Sequence, residues 1–353
     1  MTYGISGKMY LKHVIVAIVL SLALVAEAGA GRQELFTEFP LPSKDAYPTS
    51  IQYGQGGDIW FLEFFTNKLA RFNSNTGELE EFSIPSTKSE PLDLTIDREG
   101  KIWFTEQDVS AIAVFDPKTK KFSEILLPDR NIKPASILAA HDGTIWALGW
   151  NTDMLIGYHP KSRKFTQRNV PTALSNSYDL AEDGKGRLWF VERAKNKLVM
   201  YDPKKDKFGE WQISVQPQQP LGTLIDSKGG VWFLAMVDNH LARFDPVTEK
   251  TEIYPLPKNK GAKEMTIDSN DIIWMVQHTD NRLVRFDPVT KTINSFEIPT
   301  GKCKPNSVSA DPRGRIWFTG STPARIGYLD SRIIGVAKSD LNIKIKPTRG
   351  LLR

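Results

Sequence analysis

Carboxylate side chains recur in this sequence at places where they could hold a divalent cation. Glu63, Glu106 and Glu192 each stand three residues after a tryptophan, and Glu264 stands ten residues before one. Carboxylate oxygens are hard ligands, which suit Mg²⁺ or Ca²⁺ better than zinc. These four glutamates are therefore candidate metal ligands, with Mg²⁺ or Ca²⁺ as the candidate cofactor. A polar, hydrated surface would explain the same residues without a metal, and both interpretations stay open here.

Few side chains could move a proton beside these carboxylates. His278 lies four residues after Trp274, and Lys263 directly precedes Glu264. An imidazole with an ordinary pKa of about 6.5 can act as a general base. His278 and Lys263 are the candidate catalytic residues, although a solvated loop histidine is a simpler explanation of His278. Further polar side chains nearby are candidate ligand-binding residues: Tyr178, Asp179, Arg193, Gln277 and Asn306.

Seven tryptophans give the chain a regular period of 43 residues, with one interval of 42: Trp60, Trp103, Trp146, Trp189, Trp232, Trp274 and Trp317. Each copy contains four short runs of β-branched and aromatic residues, separated by Gly, Asp, Asn and Pro turn signals. Four strands in a period of this length are typical of a propeller blade. Two stacked β-sandwiches would not explain seven copies in uninterrupted register. We therefore predict an all-β, seven-bladed β-propeller with four antiparallel strands per blade.

The ends of the repeat predict how the ring closes. A segment of the outer-strand type occurs at residues 34–42, before the first tryptophan, whereas no good fourth run follows Trp317. We expect the N-terminal strand to complete the last blade, which leaves no long open edge.

Propeller geometry predicts where the candidate residues lie. The first strand of each blade begins, and the second strand ends, at the same face of the ring. Residues just after the first-strand start and just after Trp-Phe should therefore converge on one mouth of the central channel. The seven tryptophans themselves are expected to pack between blades.

Both ends of the chain differ from the repeat. A 12-residue apolar run over residues 14–25 follows Lys8 and Lys12, and it precedes Ala26-Glu27-Ala28. This pattern predicts a secretory signal peptide over residues 1–28, and hence a secreted or periplasmic protein. The propeller is expected over residues 29–330. The tail, residues 331–353, has six basic residues against one acidic residue and is expected to be solvated.

Composition excludes several classes of protein. The single cysteine, Cys303, excludes a disulfide framework, and no apolar run reaches 18 residues, so a transmembrane span is not expected. No basic stripe interleaved with aromatic residues indicates a nucleic-acid partner. We expect a monomer whose partner is a small molecule or a peptide.

The repeat resembles the virginiamycin B lyase (streptogramin lyase) family over about residues 34–330. The resemblance rests on the Pro91 to Glu106 segment and on the Trp60 to Phe72 segment, with its Asn-Lys-Leu-Ala-Arg-Phe string. It implies a seven-bladed propeller with a Mg²⁺ site at the channel mouth. It also implies an elimination reaction that opens cyclic ester antibiotics, with a histidine base and two glutamate ligands in the last blade. At the matching places this sequence has Asn306 for the base and Lys304 and Gly320 for the ligands.

Two functions remain after these observations. The first is an exported propeller that binds a small or peptidic ligand at the mouth, with a divalent cation as a candidate participant. The second is an enzyme: a divergent metal-dependent lyase of the streptogramin type, or a lactone or ester hydrolase. In the enzyme, a bound cation would polarise the carbonyl and His278 or Lys263 would move the proton.

Overall fold

The computed structural model describes residues 34–150, 152–213, 219–257, 261–334 and 341–350. The signal peptide predicted for residues 1–28 lies outside the described residues. Apart from two single-turn 3₁₀ segments, Gln55–Gly57 and Ser331–Ile333, the regular structure described is β-strand, arranged in seven sheets. The all-β, seven-bladed architecture predicted from the tryptophan period is confirmed. The described part of the chain contains no helix with the length and apolarity needed to cross a membrane.

The strands follow one another in chain order around the ring. The N-terminal strand is β1 (Phe36–Pro40). Blade one consists of β2 (Pro48–Tyr53), β3 (Asp58–Glu63), β4 (Lys68–Asn73) and β5 (Leu79–Ser83). Blade two consists of β6 (Pro91–Ile96), β7 (Ile102–Glu106), β8 (Ala111–Asp116) and β9 (Lys121–Leu126). Blade three consists of β10 (Pro134–Ala139), β11 (Ile145–Gly149), β12 (Met154–His159) and β13 (Lys164–Asn169). Blade four consists of β14 (Ser177–Glu182), β15 (Leu188–Glu192), β16 (Lys197–Asp202) and β17 (Lys207–Gln212). Blade five consists of β18 (Pro220–Ile225), β19 (Val231–Ala235), β20 (His240–Asp245) and β21 (Lys250–Pro255). Blade six consists of β22 (Ala262–Ile267), β23 (Ile273–Gln277), β24 (Arg282–Asp287) and β25 (Thr292–Glu297). Blade seven combines β26 (Pro305–Ala310), β27 (Arg315–Ser321) and β28 (Ala324–Asp330) with β1.

The hydrophobic core lies between neighbouring blades. Trp60 of blade one packs against Ile102, Phe104 and Phe115 of blade two, with its ring centroid 5.7 Å from that of Phe115. Equivalent clusters form around the other blade junctions. The central strands can be apolar on both faces because each sheet is covered on both sides. This arrangement confirms the structural role predicted for the tryptophans.

An aspartate six residues before the tryptophan fixes the far-face hairpin in five blades. We call the end of the ring that holds the hairpins between first and second strands the far face. In blade five, Asp226 accepts hydrogen bonds from the Gly230 amide, at 2.7 Å, and from the Trp232 indole, at 2.9 Å. The same indole-to-aspartate bond occurs in blades two, four, six and seven. The hairpin aspartates therefore bind the turn and the core tryptophan together.

The ring closes through the N-terminal strand, as predicted. β1 pairs antiparallel with β28, with Phe36 opposite Leu329 and Pro40 opposite Arg325. Glu38 of β1 also accepts hydrogen bonds from the amide and the hydroxyl of Thr300, both at 3.1 Å. The two ends of the repeat are thereby joined in one blade.

Part of the C-terminal tail forms strands, although we expected the tail to be solvated. β29 (Leu341–Lys344) pairs with β25 of blade six, and β30 (Thr348–Gly350) pairs with β21 of blade five. Between them, the Ile345 amide donates to the Lys291 carbonyl at 2.9 Å. These strands cover the outer edges of two neighbouring blades, which would otherwise expose unpaired backbone groups.

Candidate functional site

Every first strand carries a bulge near its start, at the face opposite the hairpins. We call this face the mouth. A bulge re-aims the side chains beside it, and here it does so next to the central channel. Seven residues at equivalent positions, two after the strand start, form what we call the channel ring: Ser50, Asp93, Ser136, Asp179, Gly222, Glu264 and Ser307.

Members of the channel ring hydrogen-bond to the neighbouring blade. Asp93 of blade two accepts from the Ser50 hydroxyl of blade one, at 2.9 Å, and from the Ile137 amide of blade three, also at 2.9 Å. The Ser307 hydroxyl donates to Glu264 at 2.6 Å and accepts from the Ile51 amide. The ring therefore joins the blades around the channel, and its hydroxyl members are residues that the sequence analysis did not single out.

The three carboxyl groups of the channel ring influence one another. Burial raises the pKa of Asp93 to about 6. Burial, with the charge of Asp93, raises the pKa of Asp179 to about 7. Burial raises the pKa of Glu264 to about 8, although the Ser307 hydroxyl works in the opposite direction. At neutral pH the ring consequently carries fewer negative charges than it has carboxyl groups.

Below the ring lies a cavity of about 400 Å³, lined by first-strand residues from all seven blades. Asp93, Asp179 and Glu264 lie at its wall, together with apolar side chains such as Met265 and Leu224. Glu264 thus faces the channel, as the position of its strand start predicted.

At the mouth, Asn306 joins three blades. Its amide oxygen accepts from the Lys263 ammonium of blade six at 2.6 Å. Its amide nitrogen donates to the Pro48 carbonyl of blade one at 3.1 Å and to the Ser321 hydroxyl of its own blade. Asn306 is almost fully buried, so its orientation is fixed by these partners. The structure therefore brings together two predicted site residues, Lys263 and Asn306.

His278 lies beside this pair. Its Nδ1 is 3.2 Å from the Pro305 carbonyl oxygen, which can only accept, so Nδ1 carries the proton and Nε2 is the acceptor nitrogen. Burial and the positive charge of Lys263 lower the pKa of His278. Burial also lowers the pKa of Lys263. His278 is therefore neutral at pH 7, in the state that a general base requires.

Tyr178 and Arg193 belong to the blade-four part of the mouth. The Tyr178 ring meets Trp150 edge to face, with centroids 5.7 Å apart. Burial and the nearby carboxylates, Asp179 first, raise the Tyr178 pKa well above its usual value, while the charge of Arg193 opposes them. Trp150 adds an aromatic side chain that the sequence analysis did not assign to the site.

Glu63, Glu106 and Glu192 stand at the mouth ends of their second strands, but their side chains lie between blades and not at the channel, which corrects the expected convergence. Each is fully buried and has as its carboxylate neighbour a glutamate of the outer strand of its own blade: Glu81, Glu124 and Glu210, respectively. Strand alternation explains this placement, since each glutamate points to the same face as the buried phenylalanine two positions earlier, between blades. Gln277 occupies the equivalent buried position in blade six.

These three glutamates are poorly satisfied. Among the described residues, neither carboxylate oxygen of Glu106 or Glu192 has a partner at hydrogen-bonding geometry, and one oxygen of Glu63 also lacks one. Burial raises the pKa of Glu63 to about 7, of Glu106 to about 8 and of Glu192 to about 7. A pair such as Glu106 and Glu124 offers fewer oxygens than the six to eight that Ca²⁺ takes. Across the described ranges, no three His, Cys, Asp or Glu side chains are grouped closely enough to share a metal ion.

Comparisons with known proteins agree with this architecture. The model of the virginiamycin B lyase family matches residues 28–261 and 206–333. A solved streptogramin B lyase is similar with a TM-score of 0.78 and 23% identity, over 83% of this chain and 96% of that chain. A catalytically inactive virginiamycin B lyase from Staphylococcus aureus, solved with quinupristin, gives a TM-score of 0.78 and 21% identity over 84% and 98%. The structure of YCF48 bound to D1 peptide is similar with a TM-score of 0.68 and 12% identity, over 85% of this chain and 98% of that chain. No curated protein matches the chain significantly.

Proposed function

Because the chain belongs to the virginiamycin B lyase family, we propose that it is a propeller that binds a small or peptidic ligand at its mouth. The ligand would contact Tyr178 and Arg193 of blade four together with Lys263 and His278 of blade six, at the face where the first strands begin. The observation that carries the proposal is the state of Asn306. It stands where the resemblance implies a catalytic base, yet its amide is held by Lys263, Pro48 and Ser321 and can take no proton.

The metal site implied by the resemblance does not fit the residues of blade seven. Lys304 carries a positive charge where a glutamate ligand is implied, and Gly320 has no side chain. A Cβ at Gly320 would lie 2.9 Å from Arg325 Cγ and 3.1 Å from Cys303 Sγ, so the fold leaves little room for a longer side chain. We therefore derive no chemical step through a cation at this place.

Whether Mg²⁺ or Ca²⁺ binds elsewhere is decided by a thermal melt of residues 29–353 after chelation, with each ion added back. An ion that binds only the folded protein, at about 100 times its dissociation constant, stabilises it by roughly 2.7 kcal/mol. A rise with one ion that is lost in Glu106→Ala or Glu192→Ala would support the predicted glutamate ligands. If no ion changes the melting temperature, the proposed ligand would be bound by side chains alone, without a cation.

The proposed mouth can be tested with a panel of cyclic depsipeptides, lactones and linear peptides in the same melt. We expect a stabilising compound whose effect is lost in Arg193→Ala and retained in Lys161→Ala. Lys161 is an exposed far-face residue, so its variant removes one charge without touching the mouth. A compound whose effect is equally lost in both variants, or in neither, would place the ligand elsewhere.

An enzyme is the second candidate, and the tautomer of His278 favours it. A neutral imidazole with Nε2 as acceptor could take a proton from a bound cyclic ester, while the Lys263 ammonium donates one of its own protons to the leaving oxygen. This would be a C–O elimination of the lyase type; with water as nucleophile, the same pair could hydrolyse a lactone or ester. If the assignment holds, His278→Ala lowers the rate of ring opening of a bound ester at least about a hundredfold. An unchanged rate would leave the binding function alone.

Export is part of the proposal, since the segment with the signal-peptide pattern precedes the described propeller. We expect the mature chain to begin at about residue 29. N-terminal sequencing of protein recovered from the medium or periplasm tests this, and an intact Met1 there would contradict it.

A further inference from the structure

The mouth between blades six and seven collects positive charge. Lys263, His278 and Lys304 surround Asn306, and the charges of both lysines act on the imidazole. Lys304 is exposed at the rim, whereas Lys263 is partly covered. Like charges held close together raise the free energy of an empty site, and a bound anion offsets that cost.

Lys263 makes no ion pair with a carboxylate within the described residues. Its ammonium has three N–H groups, and its one hydrogen bond there goes to the neutral amide of Asn306. The carboxyl group nearest in sequence, Glu264, accepts from the Ser307 hydroxyl at 2.6 Å. The ammonium therefore keeps donors and charge for a ligand.

An aromatic cluster lies on the adjoining blade. Tyr47, Phe64 and Phe65 of blade one form a triangle with ring centroids 5.1 to 6.2 Å apart. Phe65 is 67% exposed, an unusual state for a phenylalanine in a chain whose other rings are mostly buried. The cluster is next to the charged group, because the residue after Tyr47 is Pro48, whose carbonyl accepts from Asn306.

We infer that this corner of the mouth binds an amphipathic organic acid, with its carboxylate on Lys263 and Lys304 and its apolar body on Tyr47, Phe64 and Phe65. The inference rests on the proposed function, which places the ligand at the mouth, and it names the chemical class of that ligand. Aromatic faces supply apolar contact area, and a partly desolvated ammonium pairs strongly with an oxyanion. The anion also offsets the repulsion between the two lysines.

The experiment compares 3-phenylpropionate with its uncharged amide, 3-phenylpropionamide, by NMR titration of the mature protein. Both probes carry the same ring, so a difference in affinity reports the charge. We expect millimolar binding of the acid, as is usual for a fragment of this size, and binding of the amide at least about tenfold weaker. Inorganic phosphate, an anion without an apolar body, is expected to compete poorly.

Variants locate the charge. Lys263→Gln keeps a hydrogen-bond donor for Asn306 but removes the charge, and we expect it to weaken acid binding about tenfold, while amide binding stays unchanged. Lys302→Gln is the matched control, since Lys302 is exposed on the same loop as Lys304, and it should bind the acid normally. Phe65→Ser should weaken acid and amide alike.

Three outcomes would overturn the inference. If the amide binds at the mouth as tightly as the acid, the charge plays no part, although the proposed function stands. If phosphate displaces the acid with equal affinity, the apolar body is not recognised. If neither phenyl compound binds at millimolar concentration, while the compound panel still finds a ligand lost in Arg193→Ala, the mouth binds a different class of molecule. Because the comparison of acid with amide uses the wild-type protein, it does not depend on the folding of any variant.

Discussion

Two sets of buried carboxylates behave in opposite ways in this propeller. Asp183 and Asp226, in far-face hairpins, are almost fully buried. Burial alone would raise their pKa values, yet both values are lowered. Glu106 and Glu192, at the mouth ends of second strands, are also buried, and their pKa values are raised to about 8 and about 7.

The difference lies in the donors that surround each group. Asp226 accepts from the Gly230 amide, the Trp232 indole and the Arg243 guanidinium, at 2.7, 2.9 and 2.7 Å. Both oxygens of Glu106 lack a hydrogen-bond partner in the part of the chain that the structure describes, and the nearby ionisable group is another carboxyl group, Glu124. Equal burial therefore stabilises an ion in one place and penalises it in the other. The tryptophan indole that donates to the hairpin aspartate recurs in every blade that has this aspartate. The position three residues after the tryptophan, by contrast, holds Glu, Gly, Ala or Gln from blade to blade.

Removing a satisfied hairpin carboxylate should have the largest effect on stability. Asp226→Ala leaves the Arg243 guanidinium and the Trp232 indole without their acceptor in a buried hairpin. We expect the free energy of unfolding to fall by about 3–5 kcal/mol, the usual cost of breaking a buried ion pair. Urea unfolding followed by tryptophan fluorescence measures it.

The control for this variant is Asp245→Ala. Asp245 accepts from the Val247 and Thr248 amides of an exposed turn, at 2.8 and 3.2 Å, so its loss should cost much less. Equal losses in the two variants would mean that the indole and guanidinium bonds of Asp226 contribute nothing beyond a turn hydrogen bond.

Removing an unsatisfied glutamate should change the pH dependence of stability. The folded pKa of Glu106, about 8, lies above the ordinary value of 4.5 that it regains on unfolding. The folded protein therefore binds the extra proton, and stability falls as pH rises from about 4.5 to about 8. Glu106→Gln removes this penalty, so at about pH 9 the variant should be more stable than wild type by as much as about 5 kcal/mol, with little difference at about pH 4.

The matched variant for this prediction is Glu78→Gln, which changes an exposed turn residue. Its stability should follow wild type at every pH. If the free energy of unfolding depends on pH in the same way for Glu106→Gln and wild type, something other than a proton stabilises Glu106. A divalent cation would then be the first candidate to test by adding it back.

The fold could be predicted from the sequence because the repeat specifies local structure and packing together. The tryptophan period, the turn residues and the surplus outer strand at Phe36–Pro40 all indicated one ring with one closure. The strands of the tail could not be predicted in this way. β29 and β30 belong to no repeat, and their pairing depends on edges that only the assembled blades present.

The site was only partly predictable, because offset along the repeat gives a position but not a side-chain direction. The offset correctly placed Glu264 at the channel and Lys263 with Asn306 at the mouth. It failed for Glu63, Glu106 and Glu192, because their side chains point between blades. The Tyr47, Phe64 and Phe65 cluster lies in loops outside the repeated strings, so no offset could indicate it.

The smallest predicted effect comes from giving blade three the carboxylate that it lacks. Ala140 stands where five other blades have the hairpin aspartate, and the Trp146 indole makes no hydrogen bond within the described residues. Ala140→Asp should stabilise the protein by about 0.5–1 kcal/mol, the net value of one new hydrogen bond. The gain is smaller than the loss in Asp226→Ala because this hairpin has Gly157 at the position of Arg243. A double-mutant cycle with Trp146→Phe isolates the indole bond, since the gain should vanish in that background. A gain that persists there would show that the carboxylate acts through a partner other than the indole, and a less stable Ala140→Asp protein would show that the cost of its burial exceeds the value of the new bond.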